Sequence, residues 1–226
     1  MDLVTVFSEA TPMLLQGMWI TVKTTVVSLL IASVLGLLSC MLGLSKHRPV
    51  QWVSKFYVWA VRGTPVMVQV MFIYFGLTQF IQAIGAENFR LTPFAAGVIT
   101  LALNAGAYMS EIFRGGVAAV DKGQMEAARS LGLSKGRAML QVVFPQAFRI
   151  SIPSLVNQFI ITLKDTSIIS VISLGEIVYQ ANIYIGRTME SFATWILVGL
   201  MYLVVISILS YISKVVERKF SNGKQA

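Results

Sequence analysis

A lysine and an aspartate stand side by side within a long apolar run that extends from about residue 150 to residue 175. If a helix begins near Ile150, a rise of about 1.5 Å per residue places Lys164 about 21 Å along it. That depth lies beyond the midplane of a hydrocarbon core about 30 Å thick. Charges at such a depth face a protein interior or a water-filled cavity and are typical of substrate and ion pathways.

The segment Lys164-Asp165-Thr166-Ser167 supports two hypotheses: these residues line a substrate path, or their charges form a buried ion pair that locks two helices together. Adjacent residues on a helix point about 100° apart, so Lys164 and Asp165 do not pair with each other. At least one of them needs another partner. An irregular backbone at this point would also aim a helix end at a substrate carboxylate, as broken helices do in transporters.

Three uncharged amide side chains, Gln69, Asn104 and Gln158, also lie in apolar runs. Each suits either a hydrogen bond between membrane helices or the lining of a cavity, and both readings stay open. Together with Lys164–Ser167 they are the candidate residues of a substrate pathway.

The residue types that catalysis and metal binding require are scarce. The single histidine, His47, excludes a His-rich metal centre, and the single cysteine, Cys40, excludes a disulfide within the chain. Asp165 is the sole aspartate in an apolar run, so no pair of catalytic groups for an intramembrane enzyme can be assembled. The chain also lacks the phosphate-binding pattern GxxxxGK[ST], so ATP chemistry would have to come from a partner. We therefore predict no catalytic, metal-binding or cofactor-binding residue.

The composition identifies the elements that must position these polar groups. Of the 226 residues, 56% are apolar and 12% are charged, and the mean hydropathy is +0.73. A typical soluble domain is about 25% charged. Four charge-free windows, 24–45, 63–86, 91–110 and 191–213, are long enough to cross a membrane. With the run at 150–175 they predict an all-α integral membrane protein with five transmembrane helices. We expect residues 1–226 to form a single transmembrane domain.

The basic residues predict how the helices are oriented. With the N-terminus outside and the C-terminus inside, fourteen of the eighteen Lys and Arg residues lie on the inner side. Lys23, Arg90 and Arg187 then lie outside, and Lys164 lies in the membrane. The net charge of +8 is thereby explained by membrane topology rather than by nucleic-acid binding. Residues 1–23 lack the features of a signal peptide and are expected to form an amphipathic segment on the outer interface.

The longest polar stretch, 111–149, lies on the inner side and predicts a helical hairpin. A helix-forming run from Gln124 to Leu131 ends at Gly132, a plausible C-terminal cap, and Ser134 can cap a second helix that ends near Pro145. The alternatives are a connector on the membrane surface and a DNA-binding helix-turn-helix. The second is disfavoured because both helices lie close to membrane spans.

The hairpin also resembles a known motif. Glu126-Ala127-Ala128, three residues, Gly132, nine residues and then Val142-Val143-Phe144-Pro145 is similar to the EAA loop of ABC importer permeases. That family has Ile and Leu where this chain has Val142 and Phe144, and both departures are apolar. The resemblance implies a coupling helix that docks in a cleft of a cytoplasmic ATPase subunit. It assigns ATPase coupling to six residues: Gln124, Glu126, Ala127, Ala128, Leu131 and Gly132.

Three further segments resemble the polar amino acid (HisMQ-type) permeases: 62–69, 104–112 and 164–167. Together the resemblances cover about residues 12–218 and imply the fold of a type I ABC importer permease. The runs 69–75 and 157–167 look closest to glutamine permeases, although arginine, histidine and cystine permeases share much of the pattern.

The resemblance implies the transmembrane subunit of an ATP-driven importer in the bacterial cytoplasmic membrane, working by alternating access. The expected substrate is a polar amino acid, with glutamine ahead of arginine, histidine, cystine and glutamate. The expected partners are a cytoplasmic ABC ATPase dimer that binds ATP-Mg, an extracytoplasmic amino acid binding protein, and a second permease copy or sister permease. The alternative is an ion-coupled amino acid carrier or a channel without an ATPase partner, which leaves the EAA-like loop unexplained.

Overall fold

The structure is a computed structural model that describes the backbone of residues 3–221 and the side chains of residues 4–215. The described residues form ten α-helices and contain no strand. They are α1 (Leu3–Gly43), α2 (Arg48–Arg62), α3 (Val66–Met71), α4 (Thr78–Ala83), α5 (Pro93–Ala118), α6 (Lys122–Ser130), α7 (Lys135–Ala138), α8 (Phe144–Asp165), α9 (Ile177–Thr188) and α10 (Ser191–Ser221). A π-helical turn, Phe72–Leu77, joins α3 to α4, and a second one, Met139–Val143, joins α7 to α8. A 3-10 helix, Thr166–Ile172, follows α8.

Five helical segments among the described residues are long and apolar enough to cross a membrane. They are Val4–Gly43, Val66–Ala83, Pro93–Ala118, Lys135–Ile172 and Ser191–Val215. The prediction of an all-α protein with five membrane helices is therefore confirmed. Residues 222–226, on which the expected position of the C-terminus falls, lie outside the described residues.

Helix α5 lies at the centre of the bundle, packed against α1, α2 and α8. Small residues allow this close approach, as is common between membrane helices. A methyl group added at Gly36 of α1 would lie 2.7 Å from Cβ of Met109, and one at Gly106 of α5 would lie 2.8 Å from the Tyr57 hydroxyl. Both distances are too short for real atoms, so the glycines set the spacing around α5.

The expected interfacial segment at residues 1–23 is wrong. Residues 3–43 form one continuous helix, and the first half of it is packed rather than spread on a surface. Val6, Ala10 and Leu14 are fully buried against α9 and α10, where they meet Ile177 and Ala181. Of the apolar residues in this segment, Val6, Leu14 and Met18 belong to the contact face of α1, whereas Leu15 and Trp19 are exposed.

The predicted end of the second hairpin helix near Pro145 is also wrong. α7 continues through the π-helical turn into α8, so the hairpin and the fourth span share one helical segment, Lys135–Ile172. Pro145 lies in the first turn of α8, directly after the π-helical turn. A widened turn is one of the known ways in which a helix tolerates a proline that cannot donate its backbone hydrogen bond.

Two helices outside the five spans were not predicted. α2 carries an exposed aromatic face made by Trp52, Phe56 and Trp59, and such a face suits the interface between membrane and water. α9 packs on the first half of α1 and so forms part of the bundle at the end opposite to the hairpin.

Candidate functional site

The charged pair in the fourth span lies where the backbone changes type. Lys164 is exposed and Asp165 is half-buried in the single chain, and α8 ends at Asp165. Two side-chain hydroxyl groups donate hydrogen bonds to backbone carbonyl groups where the α-helix changes to a 3-10 helix. Oγ of Ser167 donates to the carbonyl of Lys164 (2.7 Å), and Oγ1 of Thr166 donates to the carbonyl of Leu163 (2.7 Å). Thr166 is fully buried, so its side chain shapes the backbone and does not line an open path.

Lys164 and Asp165 form no salt bridge with another residue of the part of the chain that the structure describes. The hypothesis of an ion pair that locks two helices of this chain thus has no partner residue within residues 4–215. The expectation of a helix end aimed at a carboxylate is wrong at this point. The helical backbone continues from α8 through the 3-10 helix Thr166–Ile172, so no free helix end lies at the charged pair. Asp165 favours an ammonium group, whereas Lys164 favours a carboxylate.

A polar stripe on α8 leads to this pair. Ser154, Asn157, Ile161 and Lys164 are all exposed, at spacings of three, four and three residues, so they share one face of the helix. Three of the four are polar, although α8 lies within a membrane span. Polar groups in a span face a bundle interior or a cavity rather than lipid. Ser154 and Asn157 were not predicted as site residues, and their helical spacing to Lys164 was the signal that could have identified them.

The three amides proposed for the pathway are mostly engaged in the packing. Nδ2 of Asn104 donates to Oε1 of Gln69 (3.2 Å), which joins α5 to α3. Nε2 of Gln69 donates to the carbonyl groups of Val61 (2.7 Å) and Thr64 (2.9 Å) and so holds the break between α2 and α3. Asn104 and Gln158 are each 5% exposed. Of the two open readings, the structure favours the interhelical hydrogen bond for Gln69 and Asn104.

Gln158 makes its contacts within α8. Its Nε2 donates to Oγ1 of Thr162 (3.3 Å), and that hydroxyl donates to the Gln158 carbonyl (2.9 Å). The side chain therefore points away from the exposed stripe of α8. Of the seven candidate pathway residues, Lys164, Asp165 and Ser167 are the ones that the structure brings together at a partly open surface.

Ionic contacts join α2 and α5 near the hairpin. Glu111 forms a two-pronged pair with Arg114, and Arg62 lies 3.7 Å from the Glu111 carboxylate. The Arg62 guanidinium also lies 5.1 Å from the ring centre of Tyr108. Arg62 therefore links two helices rather than merely extending its side chain toward water.

Both helices of the hairpin begin at capping residues. Oδ1 of Asp121 accepts from the backbone N–H of Gly123 (2.7 Å) and caps α6. Ser134 caps α7 by accepting from the N–H of Arg137 (3.4 Å). Gly132 has φ +86°, a conformation that favours glycine, and it reverses the backbone between the two helices. The predictions for Gly132 and Ser134 are both confirmed.

The two faces of α6 differ. Ala128 is 4% exposed and packs inside the permease, so the expectation that it enters a partner's cleft does not fit its position. Gln124, Glu126 and Ala127 are exposed, and Leu131 is 85% exposed although it is apolar. Oε1 of Gln124 also accepts from Nε2 of Gln146 (3.1 Å), which ties α6 to the first turn of α8. An apolar residue on a small polar hairpin suits contact with another protein.

Comparisons with known proteins agree with this arrangement. Residues 34–222 match the family of binding-protein-dependent transport system inner membrane components. The chain is 40% identical to the arginine transport system permease protein ArtQ of Bacillus subtilis (strain 168), with 94% of each chain covered. It is 36% identical to the L-cystine transport system permease protein TcyB of the same organism, with 92% of this chain and 86% of TcyB covered. It is also 36% identical to the glutamine transport system permease protein GlnP of Escherichia coli (strain K12), with 93% and 94% covered. Among solved structures, an amino acid ABC transporter crystallised with histidines superposes with a TM-score of 0.89 at 36% identity, covering 97% of this chain and 99% of that one.

Proposed function

The chain belongs to the family of binding-protein-dependent transport system inner membrane components. We therefore propose that it forms one half of the path by which an ATP-driven importer carries L-glutamine across the membrane. The chain is an ABC permease for amino acid import, and what we propose is that the imported amino acid is glutamine. The chain is a multi-pass protein of the inner membrane. It is a transport subunit rather than an enzyme, since separate ATPase subunits hydrolyse ATP in such importers.

The polar stripe on α8 is the observation that carries the proposal. Ser154, Asn157 and Lys164 would be costly to expose to lipid, so this face needs water or another protein beside it. A second copy or a sister permease placed against it would enclose a polar path that ends at Lys164 and Asp165. Five membrane helices in one chain are few to enclose such a path alone.

The charges at the end of α8 suit a zwitterionic amino acid. Lys164 offers a cation to the α-carboxylate, and Asp165 offers an anion to the α-ammonium group. Because these two charges balance, they do not favour a substrate with a charged side chain. This supports glutamine over arginine, and arginine is the alternative that the relatives make most important to test.

The exposed face of α6 supports an ATPase partner. Four residues on this face are exposed and available for contact: Gln124, Glu126, Ala127 and Leu131. A carrier or channel that works without an ATPase would not explain an exposed apolar residue on this hairpin. We propose that a cytoplasmic ATPase dimer binds this face and supplies the ATP-Mg site. An extracytoplasmic binding protein would deliver the amino acid at the other end of the bundle.

The test is uptake by the complete importer, which contains the permease, ATPase and binding protein, in liposomes loaded with ATP-Mg. L-glutamine, L-arginine, L-histidine, L-cystine and L-glutamate are compared. We expect ATP-dependent uptake of glutamine ahead of the others. Preferred uptake of arginine would refute the choice of glutamine, and uptake without ATP would favour the carrier or channel.

A pair of matched variants tests the path itself. Asn157→Leu removes a polar group from the stripe, whereas Ser207→Leu removes another exposed polar group, which lies on an apolar face of α10 beside Leu203 and Val204. We expect Asn157→Leu to reduce uptake at least ten-fold, while Ser207→Leu leaves it at the level of the unmodified importer. Equal effects of the two substitutions would show that the stripe does not line the path.

A further inference from the structure

A pocket lies at the end of the bundle opposite to the hairpin. It has a volume of about 440 Å³ and is lined by the π-helical turn Phe72–Leu77, α4 and the segment before α5, with Tyr74, Thr78, Gln79, Gln82 and Arg90 as its polar residues. α5 begins beside this pocket and ends beside the hairpin, and its 26 residues span about 39 Å. The pocket and the hairpin are therefore on opposite sides of a membrane. By the distribution of Lys and Arg, the pocket side is the outer side.

Arg90 is held in place but carries an unpaired charge. Its Nη1 donates to the backbone carbonyls of Glu87 (3.0 Å) and Phe89 (2.8 Å), and Nε2 of Gln82 donates to the same Phe89 carbonyl (2.9 Å). Within residues 4–215, no carboxylate lies within salt-bridge distance of the guanidinium. Its Nη2 and Nε groups remain available, and a guanidinium group with two free donors is suited to a carboxylate.

A second observation also points to a ligand. Oγ1 of Thr78 is buried and has no hydrogen-bond partner among the described residues, although it lines the pocket. Buried polar atoms without a partner are rare and call for a water molecule or a ligand. Thr78 directly follows the π-helical turn Phe72–Leu77, and such turns occur frequently at functional sites.

The surroundings attract an anion. Lys23 lies at the same end of the bundle, with its Nζ 5.1 Å from the ring centre of Phe94, close to the pocket residue Leu91. Two cations thus stand near the pocket, while Glu87 is exposed in the loop before Arg90 and does not line the pocket. A pocket of this volume lies within the usual range for small-molecule sites.

We propose that this outer pocket, assuming the proposed function, is where the amino acid first binds after it leaves the binding protein, with the Arg90 guanidinium holding its α-carboxylate. Thr78 and Gln82 lie beside that carboxylate. The amino acid then moves from this pocket toward Lys164 when the helices reorient.

The experiment measures uptake by the complete importer in liposomes as the concentration of binding protein loaded with L-glutamine is varied. If the panel identifies another amino acid, that amino acid replaces glutamine as the probe. Arg90→Gln removes the charge and Arg90→Lys keeps it, and Arg187→Gln is the control because Arg187 is exposed at the end of α9 outside the pocket. We expect Arg90→Gln to lower the maximal uptake rate about ten-fold, with the half-saturating concentration of loaded binding protein unchanged. Arg90→Lys retains more uptake than Arg90→Gln, and the control retains all of it.

The outcomes separate the possible sources of the carboxylate. A higher half-saturating concentration with an unchanged maximal rate would mean that Arg90 binds a carboxylate of the delivering protein, which overturns the proposal. Unchanged kinetics would overturn it as well. If Arg90→Gln fails to assemble with the ATPase, Thr78→Val tests the same pocket without removing a charge, and a maximal rate equal to that of the unmodified importer would refute the site. An unmodified importer that takes up none of the amino acids overturns the proposed function and this pocket together.

Discussion

Gly132 offers the sharpest test of the coupling hairpin. Its φ of +86° belongs to the left-handed region, and a Cβ atom added there would meet no atom within 4 Å. Gly132→Ala therefore changes the backbone preference and creates no clash. The expected cost is about 1–2 kcal/mol, which shifts the local equilibrium away from the observed turn by a factor of about 5–30. Gly132→Val costs more than Gly132→Ala, because a β-branched residue is especially unfavourable at positive φ.

Gly136 provides a matched control four residues away. It lies in α7, it has no positive φ, and a Cβ atom there also meets nothing within 4 Å. Alanine is preferred to glycine inside a helix by up to about 1 kcal/mol, so Gly136→Ala is expected to be neutral or slightly stabilising.

The assay has two readouts for each variant. The first is the amount of ATPase subunit that copurifies with a tagged permease, and the second is the amount of amino acid taken up per ATP hydrolysed. We expect Gly132→Ala to insert in the membrane but to lose ATPase on purification, or to hydrolyse ATP without uptake, because the altered turn tilts α6. If Gly132→Ala and Gly132→Val both match Gly136→Ala in ATPase content and in substrate-stimulated uptake, the turn does not set the orientation of a coupling helix.

Three other predictions concern the path, the topology and a buried acid. Asp165→Asn keeps the side-chain shape and removes the charge, so uptake should fall more than ten-fold while the assembled complex is retained; loss of folding would instead indicate a structural ion pair. In a Cys40→Ala background, a membrane-impermeant thiol reagent applied to intact cells should label Asn88→Cys but not Gly136→Cys, and the reverse result would invert the topology. Between the fourth and fifth spans, burial raises the pKa of Glu176 from 4.5 to about 7, so the folded protein binds a proton that the unfolded chain releases. Thermal stability in detergent should therefore fall as pH rises from about 5 through 7, and Glu176→Gln should remove that dependence.

The sequence was informative where local chemistry decides the structure. Charge-free windows identify membrane helices because each charge in the hydrocarbon core is costly, and all five expected spans are present among residues 3–221. The turn of the hairpin was also predictable, since Gly132 and Ser134 act on backbone groups within three residues of themselves. Such short-range preferences need no knowledge of the rest of the fold.

Short-range preferences did not predict the features that depend on contacts between residues distant in the sequence. The charge-free window placed Lys23 at the border of the first span. In the structure α1 continues through this residue, and its ammonium group lies over the ring of Phe94. The hydrogen bond between Gln69 and Asn104 joins residues 35 positions apart, and the sequence left its alternatives open. Pro145 was expected to end a helix, and the π-helical turn that accommodates it is not visible in the residue types.

The continuity of α8 gives a physical route from the hairpin to the charged pair. Gln124 of α6 is hydrogen-bonded to Gln146 at the start of α8, and α8 then runs without interruption to Asp165. Its 22 residues span about 33 Å, which is close to the thickness of the hydrocarbon core. A force that moves α6 therefore acts on one end of a helix whose other end carries Lys164 and Asp165. A break in the helix near Pro145 would have separated the hairpin from the charged pair. The π-helical turn keeps this segment helical and so makes a rigid connection between the two physically feasible.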